Sequence, residues 1–304
     1  MSPPDSASST VFKDVDVCVC TFRRASVADL LASLAKQELG AGWRMRIIVA
    51  DNDITPSAKE VVEKAFADNG LNGVYVHAPA QNISIARNAC LDAAAAPLIA
   101  FVDDDETARP GWLAHLIQRI EETNAGVAFG RVQAIYPETA PRWLVKGDFH
   151  STEAFFRNGV IEGGYTCNVV LRQGSIGPLR FNPAFGRTGG EDTSFFGQLA
   201  RDGVQMTYAA DAVVDEPVPP ARSRLKWLTA RAFRSGQSHA YVLLNKGEAK
   251  PFIAIKSVLK IGFCAAAAVA TIWWQVGWRK AVVRGALHAG VLAAVLGKSP
   301  LRLY

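Results

Sequence analysis

The densest run of chemistry in the chain is "FVDDDE", residues 101–106, where an apolar segment runs into Asp103, Asp104, Asp105 and Glu106. Two carboxylates about 5 Å apart, at an effective dielectric near 20, repel by roughly 3 kcal/mol. Such a cluster is either solvated in a loop or neutralised. Side chains alternate along a strand, so Asp103 and Asp105 face one way and Asp104 the other. A D-x-D pair at a strand end suits a hard divalent cation, Mg2+ or Mn2+, which takes carboxylate oxygens and leaves further positions to water or phosphate. A second cluster, "GGED" at 189–192, places Glu191 and Asp192 behind two glycines where a helical pattern begins. Those acids read as a plain helix cap or as a general base. A helix N-terminus favours the ionised carboxylate, which makes Asp192 a ready but weak base.

The elements that must hold these residues alternate regularly. "VDVCVCTF" (15–22), "MRIIVADN" (45–52), "GVYVHA" (73–78) and "PLIAFVDDD" (97–105) read as strands. Between them lie helical patterns: Val27, Leu30, Leu31 and Leu34 recur at helical spacing, "TPSAKEVVEKAFADNG" (55–70) has Thr55 placed as a cap and Gly70 as a stop, and "NISIARNACLDAAAA" covers 82–96. Continuous apolar strands alternating with helices predict an α/β fold with a mostly parallel, doubly wound sheet. Ligands bind outside the carboxyl ends of such strands, where Thr21, Asp51 and Asp103–Asp105 fall. Further strands are expected at 125–136, 165–173 and 204–218, and a helix follows the turn at 189–190.

Charge divides the 304 residues. Residues 221–304 carry 14 Lys and Arg against one acid, whereas residues 1–220 carry 19 against 27. An acidic body with a basic tail implies phosphate-bearing partners or an anionic membrane surface. No helix-turn-helix, zinc or RNA-binding pattern accompanies the basic residues, so nucleic acid is not an expected partner. The expected division is a Ser/Pro-rich lead-in over 1–13, a catalytic domain over 14–220 and a helical, basic and hydrophobic extension over 221–304. Within the extension, "IGFCAAAAVATIWWQVGW" (261–278) is 18 residues without a charge, at the lower limit for spanning a bilayer. It is read as a packed soluble hairpin, as helices in the membrane interface with Trp273, Trp274 and Trp278 at headgroup level, or as a span; membrane contact is favoured. The five cysteines include Cys18 and Cys20 inside the first strand, which read as core packing rather than a metal pair. The N-terminus has no apolar stretch of signal-peptide type, so the catalytic body is expected to face the cytoplasm.

Taken together, "VCVCTFRR", "IIVADND", "ISIARNACLDAA", "LIAFVDDDE" and "GGEDTSFFGQLARDG" resemble, in order and spacing over about residues 14–215, the family 2 glycosyltransferases with the GT-A fold. The likeness is greatest to bacterial exopolysaccharide enzymes of the succinoglycan-biosynthesis type. The resemblance implies an inverting, metal-dependent transfer of a sugar from a nucleotide sugar, expected to be a UDP-hexose, to a lipid-linked glycan at the cytoplasmic face of the inner membrane. It implies nucleotide-sugar contacts from Thr21, Arg23, Asp51, Arg87, Asp103 and Asp104. It further implies metal ligation by Asp105 with Asp103, catalysis by Asp192, and an orienting or acceptor-binding role for Glu191. On this view a divalent cation, not a protein side chain, is the positive partner of the aspartates, and the metal-free site is strained. Trp143, Gly164 and Asn168 are candidate acceptor contacts, each with a core or turn alternative. Arg231, Arg234 and His239 are candidates to close over the diphosphate, with His239 also weighed as a third metal ligand and the basic helix also weighed as a solvated or membrane-facing surface. The processive-synthase pattern QxxRW is not evident, which favours transfer of a single sugar. Two other classes stay open: a nucleotidyltransferase, against which "CTFRRAS" lacks a glycine-rich loop, and a non-catalytic GT-A module of a membrane assembly.

Overall fold

The computed structural model describes residues 12–299 and Leu301; most of the expected lead-in over 1–13 lies outside them. The chain runs β1 (Lys13–Thr21), α1 (Val27–Leu34), β2 (Trp43–Asp51), α2 (Lys59–Asp68), β3 (Gly73–His77), α3 (Ile83–Ala93) and β4 (Leu98–Asp103). The short β5 (Thr107–Ala108), α4 (Trp112–Thr123), β6 (Val127–Ile135), α5 (Arg142–Gly147), and a hairpin of β7 (Phe155–Arg157) and β8 (Val160–Gly163) follow. Then come β9 (Asn168–Arg172), α6 (Gln173–Ile176), α7 (Glu191–Arg201) and β10 (Met206–Pro217), and three long helices, α8 (Leu225–Asn245), α9 (Lys250–Ala270) and α10 (Gln275–Val295).

Eight strands form one sheet in the order β3-β2-β1-β4-β9-β6-β10-β5. β3, β2, β1 and β4 are mutually parallel, as are β6 and β10, while β9 runs antiparallel between β4 and β6. Residues alternating along β1 feed two cores. Val15, Val17 and Val19 pack with α1, α2 and α4 on one face, and Cys18 packs with α3 and α7 on the other. That two-sided burial is why the strands read as unbroken apolar runs. It also settles the cysteines: Cys18 is buried, and Cys20 lies 3.9 Å from Cys90, all as free thiols.

The strand order fixes the site. β2 and β3 lie to one side of β1, and the chain then crosses through α3 to place β4 on the other. The topological switch point is therefore between the carboxyl ends of β1 and β4, where Cys20 pairs with Asp103.

Two expectations change. Thr55 does not cap α2, which begins at Lys59 with Ala58 before it. The buried Asp51 carboxylate instead accepts from Ala58 N at 2.9 Å, so the strand end anchors the helix start. In addition, the uncharged stretch 261–278 is not one helix. α9 ends at Ala270 and α10 begins at Gln275, the turn between them carrying Trp273 and Trp274. α10 packs on both α8 and α9, and it meets α8 closely because Gly236 and Gly290 bring each backbone against the other helix's carbonyls.

Candidate functional site

A cleft of about 1980 Å³ opens over the switch point, lined by the ends of β1 and β4, the start of α7, the β7–β8 hairpin and one side of α8. Pockets for drug-sized ligands run to about 300–1,000 Å³. The cleft exceeds that range.

At the end of β4 the four acids alternate in burial: Asp103 and Asp105 are half-exposed, Asp104 and Glu106 buried. The burial alternates, but β4 ends at Asp103, so Asp104 and Asp105 are placed by the following turn and not by strand alternation; the two buried acids are satisfied internally. Asp104 accepts from the Thr21 hydroxyl at 2.7 Å and from Arg24 Nη1 at 2.7 Å. Glu106 accepts from Asp103 N at 3.0 Å, and burial, with Asp103 beside it, pushes its carboxyl well above the usual range. Arg24 Nη1 also stands 2.8 Å from Asp105. A protein side chain is thus the positive partner, contrary to the expectation of a cation alone. The arginine concerned is Arg24, not Arg23. Arg23 has φ +55°, which turns the two neighbouring side chains apart. Arg23 turns away to pair with Asp53 at 2.8 Å, and Arg24 lines the cleft.

Asp51 likewise lies beneath the cleft rather than on its wall. It is fully buried, and besides Ala58 N it accepts from Asp53 N at 3.0 Å and the Tyr75 hydroxyl at 2.8 Å. Its neighbour Asn52 is the residue of "ADN" that reaches the cleft wall.

Arg87 links the two acidic clusters. It projects from α3, a helix capped by Asn82, whose side chain accepts from Ser84 N and Ile85 N. Its Nη1 lies 2.8 Å from Glu191 Oε1 and 2.6 Å from Asp192 Oδ1, and its Nη2 lies 3.9 Å from Asp103. Buried among these acids, its guanidinium is pushed above its ordinary value, the carboxylates outweighing desolvation. The expected nucleotide contact is therefore an arginine already engaged by the α7 acids.

Gly189 and Gly190, at φ +80° and +102°, make the turn that delivers Glu191 and Asp192 into the first turn of α7. Asp192 also accepts from the Thr166 hydroxyl at 2.8 Å. Desolvation raises its carboxyl to about 6, opposed by Arg87 and reinforced by Glu191. Burial thus outweighs the helix terminus, and Asp192 is a stronger base than its position in sequence implies. Glu191 Oε2 is buried with no hydrogen-bond partner among the described residues. Asp103, crowded by Asp104 and Asp105, is raised to about 7 by desolvation against the pull of Arg87.

α8 closes the opposite wall. Arg234 Nε donates to Thr188 O at 2.8 Å and the Ser238 hydroxyl to Gly189 O at 3.2 Å, so the helix clamps the Gly-Gly turn. Arg231, Arg234 and His239 all line the cleft, as expected of diphosphate candidates. His239, however, has Lys260, Lys246, Glu248 and Arg157 as its charged neighbours, not the aspartates of β4. Its proposed place as a third metal ligand is not what the fold builds.

Three acceptor candidates lie elsewhere. Trp143 packs edge-on to Phe149 at 5.4 Å beneath Arg279 at 4.7 Å, docking α10 on α5. Gly164 is where the backbone passes against the Phe129 ring, with no room for a side chain. Asn168 is buried: it accepts from Trp112 Nε1 at 2.8 Å and donates at 2.9 Å to both Arg131 O and Ala212 O. It bridges the irregularity between Tyr208 and Val213 where β10 loses register with β6. The cleft residues passed over in the sequence are Arg24, Asn52 and the hairpin aromatics Phe155 and Phe156. Only Arg24 had a signal, as the second arginine of "FRR".

The donor set fits a divalent ion of the kind the D-x-D pair implies. Among the described residues no three His, Cys, Asp or Glu side chains converge as a metal cage. Of the four acids that line the cleft at the end of β4, Asp103 and Asp105 are the half-exposed ones, Asp104 and Glu106 being buried. One or two carboxylates with substrate phosphates and water are the usual complement of Mg2+.

Comparison with known proteins bears on the family and the fold. The model of "Glycosyl transferase family 2" matches residues 16–179. The chain is 42% identical over 294 residues to the succinoglycan biosynthesis protein ExoM of Rhizobium meliloti (strain 1021), covering 95% of each chain. It is 24% identical to the glucosyl-dolichyl phosphate glucuronosyltransferase of Haloferax volcanii, over 74% of this chain and 75% of that one. Among solved structures, the mannosyltransferase PcManGT of Pyrobaculum calidifontis, in complex with GDP-Man and Mn2+, aligns with a TM-score of 0.65 at 17% identity, covering 98% of this chain and 92% of that one. S. aureus TarS 1-349 in complex with UDP-GlcNAc aligns at 0.55 and 16% identity, covering 94% and 92%. The structural likenesses bear on the GT-A fold alone. The family match over more than half of the chain and the near full-length relative make this protein a family 2 glycosyltransferase.

Proposed function

We propose that this enzyme moves a single sugar from a nucleotide sugar, expected to be a UDP-hexose, to a hydroxyl of a lipid-linked oligosaccharide, with inversion, in cell-surface polysaccharide biosynthesis. The observation that carries the reading is the pairing of Asp192 and Glu191 with Arg87 across one cleft from Asp103 and Asp105. An inverting displacement needs one base to take the acceptor proton as the hydroxyl attacks the anomeric carbon. Asp192, raised to about 6, is ionised at neutral pH yet basic enough for that task. Arg87 orients its carboxylate, and Thr166 fixes the same oxygen from the other side. Arg24, Arg231 and Arg234 line the cleft and would meet a diphosphate extended from β1 towards α8. Asp105 and Asp103 would hold a divalent ion, which when bound offsets the charge developing on the departing diphosphate. The succinoglycan relative supports the exopolysaccharide setting. The relatives with GDP-Man and UDP-GlcNAc support a nucleotide-sugar donor without fixing its base. The work is assigned to the cytoplasmic face of the membrane, where nucleotide sugars and lipid carriers meet.

The test is sugar transfer from a panel of nucleotide sugars to membrane lipid extract. Asp192→Asn is expected to lower turnover by about 10²-fold or more while nucleotide binding persists. Unchanged turnover would remove Asp192 from the role of base. Formation of a sugar nucleotide from sugar phosphate and nucleoside triphosphate would point instead to nucleotidyl transfer.

A further inference from the structure

α9 is inside-out for a helix on a water-exposed body. It packs on α10 with Ile253, Ser257 and Cys264 buried. At 100° per residue the far side carries Ile255, Leu259 and Phe263, which are 60%, 68% and 72% exposed, and Gly262, Ala266 and Val269 continue the same face without a charge. At its C-terminal end the turn into α10 presents Trp273 and Trp274, 79% and 58% exposed. Single exposed apolar residues need no explanation, but a continuous face of this length marks an interaction surface.

We infer that this face of α9, with Trp273 and Trp274, is a monotopic docking surface for an anionic lipid bilayer, on which the helix lies in the plane of the interface. The partner follows from charge. Lys256 and Lys260 stand along one flank of the apolar face, within a region of 14 Lys and Arg against one acid. A protein partner of ordinary surface leaves that excess unmatched, whereas anionic headgroups match it. Exposed tryptophans at the end of such a helix are suited to the headgroup level.

The packing also decides between lying and spanning. α9 is long and apolar enough to cross a membrane by length and composition. Lys260, however, is its central residue and is exposed, so a span would set an ammonium at the bilayer midplane. α10 would be carried in beside it with Arg279, Lys280 and Arg284. Lying flat satisfies all of them. It also keeps α8, which walls the cleft and packs on α10, directly above the surface. This inference deepens the proposed function, placing the cleft beside the leaflet that presents a lipid-linked acceptor, but its test does not depend on transfer.

The full chain would be floated with vesicles of phosphatidylcholine alone or with phosphatidylglycerol added to supply the anionic headgroups that basic surfaces recognise. The expected result is binding at least about tenfold tighter to the anionic vesicles, weakened by high salt and released by alkaline carbonate. Leu259→Glu with Phe263→Glu should abolish it while circular dichroism and nucleotide-induced thermal shift persist. Lys256→Gln with Lys260→Gln should remove the preference for anionic lipid. Brominated lipid should quench Trp273 and Trp274 fluorescence, an effect lost in Trp273→Phe with Trp274→Phe. Carbonate-resistant insertion would overturn the flat orientation. A dimer that the Leu259 and Phe263 substitutions convert to monomer, without vesicle binding by the parent, would assign the face to a second copy. Equal vesicle binding by parent and Glu variant would remove α9 from the surface. If vesicle binding holds while no nucleotide sugar is turned over, the transferase reading alone fails.

Discussion

At the residue scale, one guanidinium sets the electrostatics of the cleft. Arg87 Nη1 is shared between Glu191 and Asp192, and removing it strands both acids. Arg87→Met is expected to cost about 3–5 kcal/mol, as when one partner of a buried ion pair is lost, measured by chemical denaturation at neutral pH; Arg87→Lys should recover part of it. The acid limb of the rate profile gives a second reading. Asp192 is raised to about 6, so it is protonated and inactive as a base below that pH, and kcat/KM should fall as pH drops through about 6. Arg87 pulls that value down, so in Arg87→Met the limb should move to higher pH. A limb that stays in place would mean that a different group reports in the profile. Arg24 teaches a related lesson. The strain expected of a metal-free aspartate cluster is relieved by its ion pairs to Asp104 and Asp105, so a cation entering at Asp105 must displace an arginine.

At the element scale, the site depends on joints between strands more than on the strands themselves. Asn168 satisfies Trp112, Arg131 and Ala212 at the point where β10 loses register. Asn168→Ala leaves three buried polar groups unpaired, and at about 1–3 kcal/mol each the loss should exceed that of an ordinary core truncation. Thermal unfolding checks this: an unchanged midpoint would show that the bridge is dispensable. The Gly189–Gly190 turn is a second joint. Both glycines sit in left-handed backbone, and α8 closes on them through Arg234 and Ser238. The position of Asp192 is therefore tied to a helix that belongs, by composition, to the basic extension.

At the scale of the whole molecule, that tie makes the boundary near residue 220 a change of composition and not a separation of parts. α8 walls the cleft, and α10 reaches back through Arg279 to Trp143 on α5 and through Lys280 to Phe149 just beyond it. Donor binding should therefore be read in the full chain. A nucleotide sugar with Mg2+ or Mn2+ is expected to raise the melting temperature, because a ligand that binds only the folded state stabilises it by RT ln(1 + [L]/Kd), about 2.7 kcal/mol at a hundredfold excess over Kd. Chelation should remove most of the shift. A shift unaffected by chelation would place the diphosphate on Arg24, Arg231 and Arg234 alone.

The sequence by itself determined what rests on local period and on residue type. Apolar runs buried on both faces named β1, β2 and β4, and the acids of "DDDE" marked the end of β4. Two glycines before two acids marked the start of α7. Tertiary structure decided whatever depends on contacts between segments distant along the chain. It moved Asp51, Asn168, Gly164 and Trp143 from candidate contacts to supports, because their partners come from other elements that no spacing rule connects. It chose Arg24 over Arg23, because a positive φ at Arg23 sets the direction of both side chains. It also broke the uncharged stretch at 271–274, so that the exposed face of α9 and the central Lys260 became visible together. Composition sees apolar length, but only packing shows which side of a helix has no protein against it.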